Sequence, residues 1–412
     1  MEGDFSIIQN LCEKWPDAAG VPDCLGRLPL HIAASRGASL ETVKLLVSLY
    51  RNSIKVADDA GNLPLHSAAA GSAIWEVAEY LINENPGAML KPNGQGNAPL
   101  HLACMSQFCS ENFAKNFVRK NPDCASQENA KGEIPLLLSC RYGGPLPMVE
   151  SMTHLKKLLM RKDPSGNTAL HLECKRQNFR FHVIQQIITM NDSILQLQNK
   201  DGRVPLHELC LVQGPEVNDE AEFGGRVQAS IELMTCAHET ALRTPDKDRR
   251  LPLHLACTVR FPHFVVINSL VTKYRDALEL RDCNGCLPLH LAAMRPKLSA
   301  TVARLLFPLS PTGTETAPTN TEKETPKMRN PAGGQETERT TSTSLVSSGS
   351  KFRLPNNDNP LHLAYRHGLR SEVIAALEQG FMRLGVPVHD QRNDEGLVPS
   401  EARMFWSRRA AV

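Results

Sequence analysis

LPLHIAASRG, residues 28–37, decides the reading, because close variants of its first six residues return along the chain. They are LPLHSA from Leu63, APLHLA from Ala98, IPLLLS from Ile134, TALHLE from Thr168, VPLHEL from Val204, LPLHLA from Leu251 and again from Leu287, and NPLHLA from Asn359. The second residue of the phrase falls at 29, 64, 99, 135, 169 and 205, in steps of 35, 35, 36, 34 and 36, and then at 252, 288 and 360. Self-similarity at such a period marks a stacked repeat protein, in which each module buries its apolar side against its neighbours. The 412 residues therefore do not count domains in the usual way, since a solenoid grows by adding modules.

Working outward from Pro29, the module explains itself. Gly26, Gly61, Gly96, Gly132, Gly166 and Gly202 each precede their phrase by the same interval, where a tight turn calls for a positive φ. The phrase proline opens a short helix at its first turn, where a missing N–H costs nothing. Gly37 ends that helix, and Val43, Leu45, Leu46 and Leu49 mark the buried side of a second one, which ends near Tyr50-Arg51-Asn52. An extended return, IKVADDAGN, leads to the next turn.

Composition agrees. Aromatic residues make up only 5%, which suits a thin aliphatic core, and a net charge of +2 selects no class of partner. Cys104, Cys140, Cys174, Cys210 and Cys257 share one repeat position that Ala34, Ala69 and Ala293 fill elsewhere, so cysteine there reads as a small buried apolar residue in a reducing compartment. The stretch MEGDFSIIQNLCEKWP lacks a basic region followed by an apolar core, and no apolar run approaches the length of a membrane span. The expected localisation is cytoplasmic, with nuclear import the alternative suggested by Lys156-Lys157 and Arg161-Lys162.

The phrase and its period resemble the ankyrin-repeat family, with its T-P-L-H-x-A signature. The resemblance covers residues 1–310 and 353–412. It implies an all-α solenoid of stacked helix-turn-helix ankyrin repeats with outward β-turn loops. Only Thr168 keeps the family's threonine, whose hydroxyl helps hold the motif histidine, so elsewhere the histidine is expected to lean on backbone groups. The fourth phrase has Leu137 in place of histidine, and the fifth has Ala169 in place of proline.

Two intervals break the rhythm. The step from Pro205 to Pro252 is 47, and the surplus VQGPEVNDEAEFGGR reads as a polar insertion between the two helices of its module. The step from Pro288 to Pro360 is 72, and the Thr/Ser/Pro/Glu-rich stretch within it is too polar to bury a core. The expected organisation is a solenoid over 1–310, a disordered insert over 311–352, and a terminal repeat and half repeat over 353–412. Phe5 to Trp15 reads as a lone second helix, and EGLVPSEAR as a first helix without its partner. Trp15, Phe405 and Trp406 are candidate end covers.

No catalytic, cofactor or metal motif emerges. His31, His66, His101, His171, His207, His254, His290 and His362 lie one per module and do not converge, so they read as structural. Cys283-Asn284-Gly285-Cys286 straddles a turn glycine and lacks the second ligand pair of a zinc site. His207-Glu208 and His238-Glu239 do not extend to H-E-x-x-H, since Leu211 and Leu242 stand where the second histidine belongs.

What the resemblance implies instead is a non-catalytic protein–protein interaction scaffold or adaptor, with its partner on a concave surface formed by first helices and loop tips. The residues placed there are Arg36, Arg141, Tyr142, Lys175, Arg176, Arg203, Arg250, Arg260, Arg295 and Arg366. Such a basic stripe matches an acidic or phosphorylated segment of another protein. The competing reading is that acids such as Asp58, Asp59, Asp201 and Asp282 balance these charges. The alternative function, a nucleic-acid-binding regulator using the same stripe, lacks an aromatic stacking platform.

Overall fold

The computed structural model describes residues 2–307 (save 73, 107–110, 154, 214–219 and 261), 352–387 (save 356) and 391–401. Regular structure among them is helical, without a strand. Contacts divide the chain into two compact units, Met1–Val259 with Val265–Tyr274, and Arg260–Phe264 with Arg275–Val412.

In the first unit each phrase opens a short first helix, beginning at the phrase proline or at Ala169: Pro29–Arg36, Pro64–Ala70, Pro99–Met105, Pro135–Tyr142, Ala169–Cys174, Pro205–Cys210 and Pro252–Thr258. Each of these packs on the one before, and the second helices form a parallel row behind them. The leucine of the phrase is what joins them: Leu30, Leu65, Leu100, Leu136 and Leu170 are all but inaccessible to solvent. Burying one such side chain contributes about 1.5–3 kcal/mol. The turn glycines from Gly26 to Gly202 all have positive φ.

The second helix Leu40–Leu49 buries Thr42, Val43, Leu46 and Val47, while Leu45 is only half-buried and Leu49 is 36% exposed. The return from it is not simply extended. A 3-10 turn follows at Arg51–Lys55, and again at Pro86–Met89, Pro122–Ser126, Asp192–Gln196 and Glu239–Leu242. Each tucks a pair of small or apolar side chains inward, such as Ala88 with Met89 and Ile194 with Leu195. That burial offsets the poorer hydrogen-bond geometry of the tight turn.

The surplus after Pro205 is not all loop. The second helix of that module runs Glu220–Ala237 and begins inside the stretch read as an insertion. Phe223 and Val227 explain the extension: both are buried, and the Phe223 ring meets Phe179 edge-on at 6.3 Å. The lone amino-terminal helix is present as Glu2–Lys14.

The second unit stacks Pro288–Ala293 on Pro360–Arg366 although 72 residues separate their prolines. Phe352, Phe307 and Phe381 close this joint, with ring centroids 5.0 Å (Phe307–Phe381) and 5.2 Å (Phe352–Phe381) apart. Apart from Phe352, the stretch read as a disordered insert lies outside the described residues, as do Phe405 and Trp406.

Candidate functional site: the first helices and loop tips

The motif histidines are joints. In His31, His66, His101, His171, His207, His254, His290 and His362, Nδ1 accepts the backbone N–H of the residue three before it, at 3.0–3.3 Å. An accepting Nδ1 places the ring proton on Nε2. Nε2 then donates to a carbonyl of the following module: Asn62 for His31 (3.0 Å), Asn97 for His66 (3.2 Å), Glu133 for His101 (3.2 Å), Arg203 for His171 (2.9 Å) and Arg250 for His207 (3.1 Å). In the second unit His290 reaches Phe352 (2.8 Å) and His362 reaches Leu397 (3.0 Å). Burial lowers the pKa of His66, His171, His207 and His290 to about 4. At neutral pH these rings are uncharged and both nitrogens are used, which leaves them no capacity for catalysis. Thr168 alone adds a hydroxyl, with Oγ1 2.8 Å from His171 Nδ1.

Loop tips are joined by a second ladder. The Asx residue opening each turn accepts two backbone N–H groups: Asp58 Oδ1 from Ala60 and Asn62, Asn199 Oδ1 from Asp201 and Arg203, Asp246 Oδ1 from Asp248 and Arg250. Side-chain amides then cross between modules, from Asn93 to Asn62 (2.8 Å), Asn129 to Asn97 (3.0 Å) and Asn199 to Asn167 (2.9 Å).

The basic residues divide into two groups. Arg141 bonds Glu133 and, at 2.7 Å, Asp163, whose side chains are both nearly inaccessible. Arg366 repeats this in the second unit, pairing with Asp358 at 3.0 Å and Glu395 at 3.6 Å. Arg176 lies 3.5 Å from the buried Glu173, which Arg180 holds bidentately through Nε at 3.0 Å and Nη2 at 2.7 Å. Arg203 sits among Asp201, Glu208 and Asp246, and Arg250 pairs with Asp248 at 3.3 Å. Arg295 is half-buried. Arg36, Tyr142, Lys175 and Arg260 are exposed, Tyr142 by 50%. The balancing acids come partly from the first helices themselves, as Glu173 and Glu208 do, and partly from the loops, as Glu133, Asp163, Asp201, Asp246, Asp248, Asp358 and Glu395 do.

At the amino-terminal end a groove of about 610 Å³ runs between loop tips and first helices, lined by Leu25, Asp59, Ser35, Ser67, Ala70 and Leu102 among others. The shared cysteine slot is chemically quiet: Cys140, Cys174, Cys210 and Cys257 are buried, and burial pushes each thiol far above its ordinary pKa. Cys283 is exposed and Cys286 buried. Among the described residues no three His, Cys, Asp or Glu side chains gather as a metal site, and no helix is long and apolar enough to cross a membrane.

Comparison with known proteins names this geometry. Residues 1–89 and 30–128 match the family described as ankyrin repeats (3 copies). The match covers residues 1–128, and the strand-free stack of helix pairs is consistent with an ankyrin-repeat solenoid. No curated protein matches the chain. Among solved structures, the ankyrin repeat domain of Bcl-3, described as a unique member of the IkappaB protein family, aligns at 18% identity and a TM-score of 0.45 over 60% of this chain and 98% of that one. The Bd0816 predatory endopeptidase from Bdellovibrio bacteriovorus in complex with immunity protein Bd3460 aligns at 20% identity and a TM-score of 0.39, over 52% and 99%. An ankyrin scaffold accounts for the strand-free stack of helix pairs, for the proline at the first helical turn and for the glycine at the loop.

Proposed function

We propose that the chain is a non-catalytic scaffold or adaptor that binds another protein on the side of the stack formed by its first helices and loop tips. One observation carries the reading: the motif histidines and, among the candidate residues, Arg141, Arg176, Arg203, Arg250 and Arg366 are paired within the scaffold, while a different set of side chains in the same row stays exposed. Arg36, Tyr142 and Lys175 are that set in the first unit. A half-exposed tyrosine suits a protein interface, where aromatic and arginine side chains dominate binding energy. Nucleic acid is disfavoured, since Arg141, Arg176, Arg203, Arg250 and Arg366 already face acids. Affinity capture with the full chain, with and without nuclease, tests this against an Arg36→Glu/Tyr142→Ala/Lys175→Glu variant. The reading expects a nuclease-insensitive protein partner that the variant loses. Capture that depends on nucleic acid, or that the variant retains in full, overturns it.

A further inference from the structure

One loop departs from the pattern of all the others in its unit. The slot held by Gly26, Gly61, Gly96, Gly132, Gly166 and Gly202, all with positive φ, is held by Arg249 at φ 57°. The left-handed conformation is unfavourable for any side chain with a Cβ, and glycine is its ordinary occupant. The same loop carries Lys247 at its tip, and the preceding loop carries Lys200.

One backbone hydrogen bond holds these tips side by side, from Lys247 N–H to Asp201 O at 2.9 Å, as Lys200 N–H to Ser165 O at 2.9 Å joins the Lys200 tip to the loop before it. Gly202 makes the approach possible, because a Cβ there would lie 2.9 Å from the Lys247 nitrogen. Lys200, Lys247 and Arg249 are all exposed, and no carboxylate holds them among the described residues. The neighbouring acids lie beside other arginines, Asp201 and Asp246 near Arg203 and Asp248 near Arg250. Of the tips Asp59-Ala60, Gly94-Gln95, Ala130-Lys131 and Pro164-Ser165, one carries a single exposed lysine, Lys131, and none sits beside a second cationic tip as Lys200 and Lys247 do.

We propose that Lys200, Lys247 and Arg249 form a docking ridge for an Asp/Glu-rich segment of the partner protein. This rests on the scaffold reading and gives it a place and a chemistry. The fork of Arg249 suits a carboxylate, and the two lysines add point charges beside it. Asp201 and Asp248 are exposed on the same tips, and their charge opposes the dense phosphates of a nucleic acid more than it opposes a segment of spaced carboxylates. At such a ridge charge sets the rate of encounter and makes affinity fall with salt.

The test measures fluorescence anisotropy of a fluorescein-labelled peptide of alternating Glu and Ser, and of a labelled DNA duplex, on the full chain at low and physiological salt. Lys200→Glu/Lys247→Glu/Arg249→Glu is expected to weaken peptide binding by about tenfold or more. Arg249→Gly alone is expected to weaken it while the melting temperature holds or rises, which separates lost contact from lost folding. Undiminished binding by the triple variant, no peptide binding by the parent chain, or tighter binding of the duplex than of the peptide overturns the proposal. A captured protein partner that the triple variant retains and the Arg36/Tyr142/Lys175 variant loses removes the ridge alone and leaves the scaffold reading standing.

Discussion

At the residue scale, histidine and arginine do the joining, and each has a measurable signature. A histidine with Nδ1 accepting and Nε2 donating cannot add a proton without losing the Nδ1 bond. The folded pKa of about 4 for His66, His171, His207 and His290 lies below the ordinary 6.5 of an unfolded chain. Between those values the unfolded state binds more protons, so stability rises with pH. It is complete above about pH 6.5 and is lost as pH falls towards about 4. Each histidine adds a slope of up to about 1.4 kcal/mol per pH unit. Urea titrations stepped down from neutral pH should show that fall, and a flat profile across the window would contradict it. Arg141 gives the second expectation. The fourth phrase has Leu137 where a joint histidine belongs, and Arg141 spans Glu133 and Asp163 in the same interval. Arg141→Ala leaves two buried carboxylates uncompensated and should cost about 3–5 kcal/mol. Arg36→Ala, at an exposed site, should stay within about 0.5 kcal/mol. Arg249→Gly should stabilise by about 1 kcal/mol through relief of the left-handed strain. Equilibrium urea unfolding measures all three.

At the element scale, the sequence exposes whatever repeats within one module and conceals whatever depends on two. Prolines at the first helical turn, glycines at the loop, small residues in the shared slot and the phrase leucines all follow from local periodicity. The 3-10 turns after the second helices were hidden, because Ile194-Leu195 or Ala241-Leu242 signal only that something is buried. The helix Glu220–Ala237 was hidden by its paired glycines and acids, which read as loop until Phe179 supplies a surface for Phe223. Arginine pairing was legible in part, since Asp201 was among the acids expected to balance the charges and does lie beside Arg203, but Arg141 and its partner Asp163 stand 22 residues apart in different modules. The exposed set Arg36, Tyr142 and Lys175 was legible as candidates but not separable from the paired arginines. Phe223→Ala should therefore cost about 3–5 kcal/mol, with the loss concentrated in the Glu220–Ala237 helix and its neighbours. Hydrogen exchange read segment by segment would check it, and a loss spread evenly over the first unit would not fit.

At the scale of the whole molecule, coupling in a solenoid should run between neighbours only. His31 and Arg141 serve joints that are not adjacent in the first unit, so their alanine substitutions should add within about 0.3–0.5 kcal/mol. Arg141 and His171 serve consecutive joints and should not add. Double-mutant cycles distinguish the two cases. On the proposed scaffold function, side chains spent on joints would define no specificity, and recognition would fall to what remains exposed on the first helices and loop tips. That division depends on the histidines being joints throughout. Long-range proton–nitrogen correlation of the histidine rings at neutral pH tests it most directly. The account predicts single Nε2–H tautomers with slowly exchanging ring protons for the motif histidines, and titration well below pH 6.5 for His66, His171, His207 and His290. Mixed or Nδ1–H tautomers that titrate near 6.5 would contradict it.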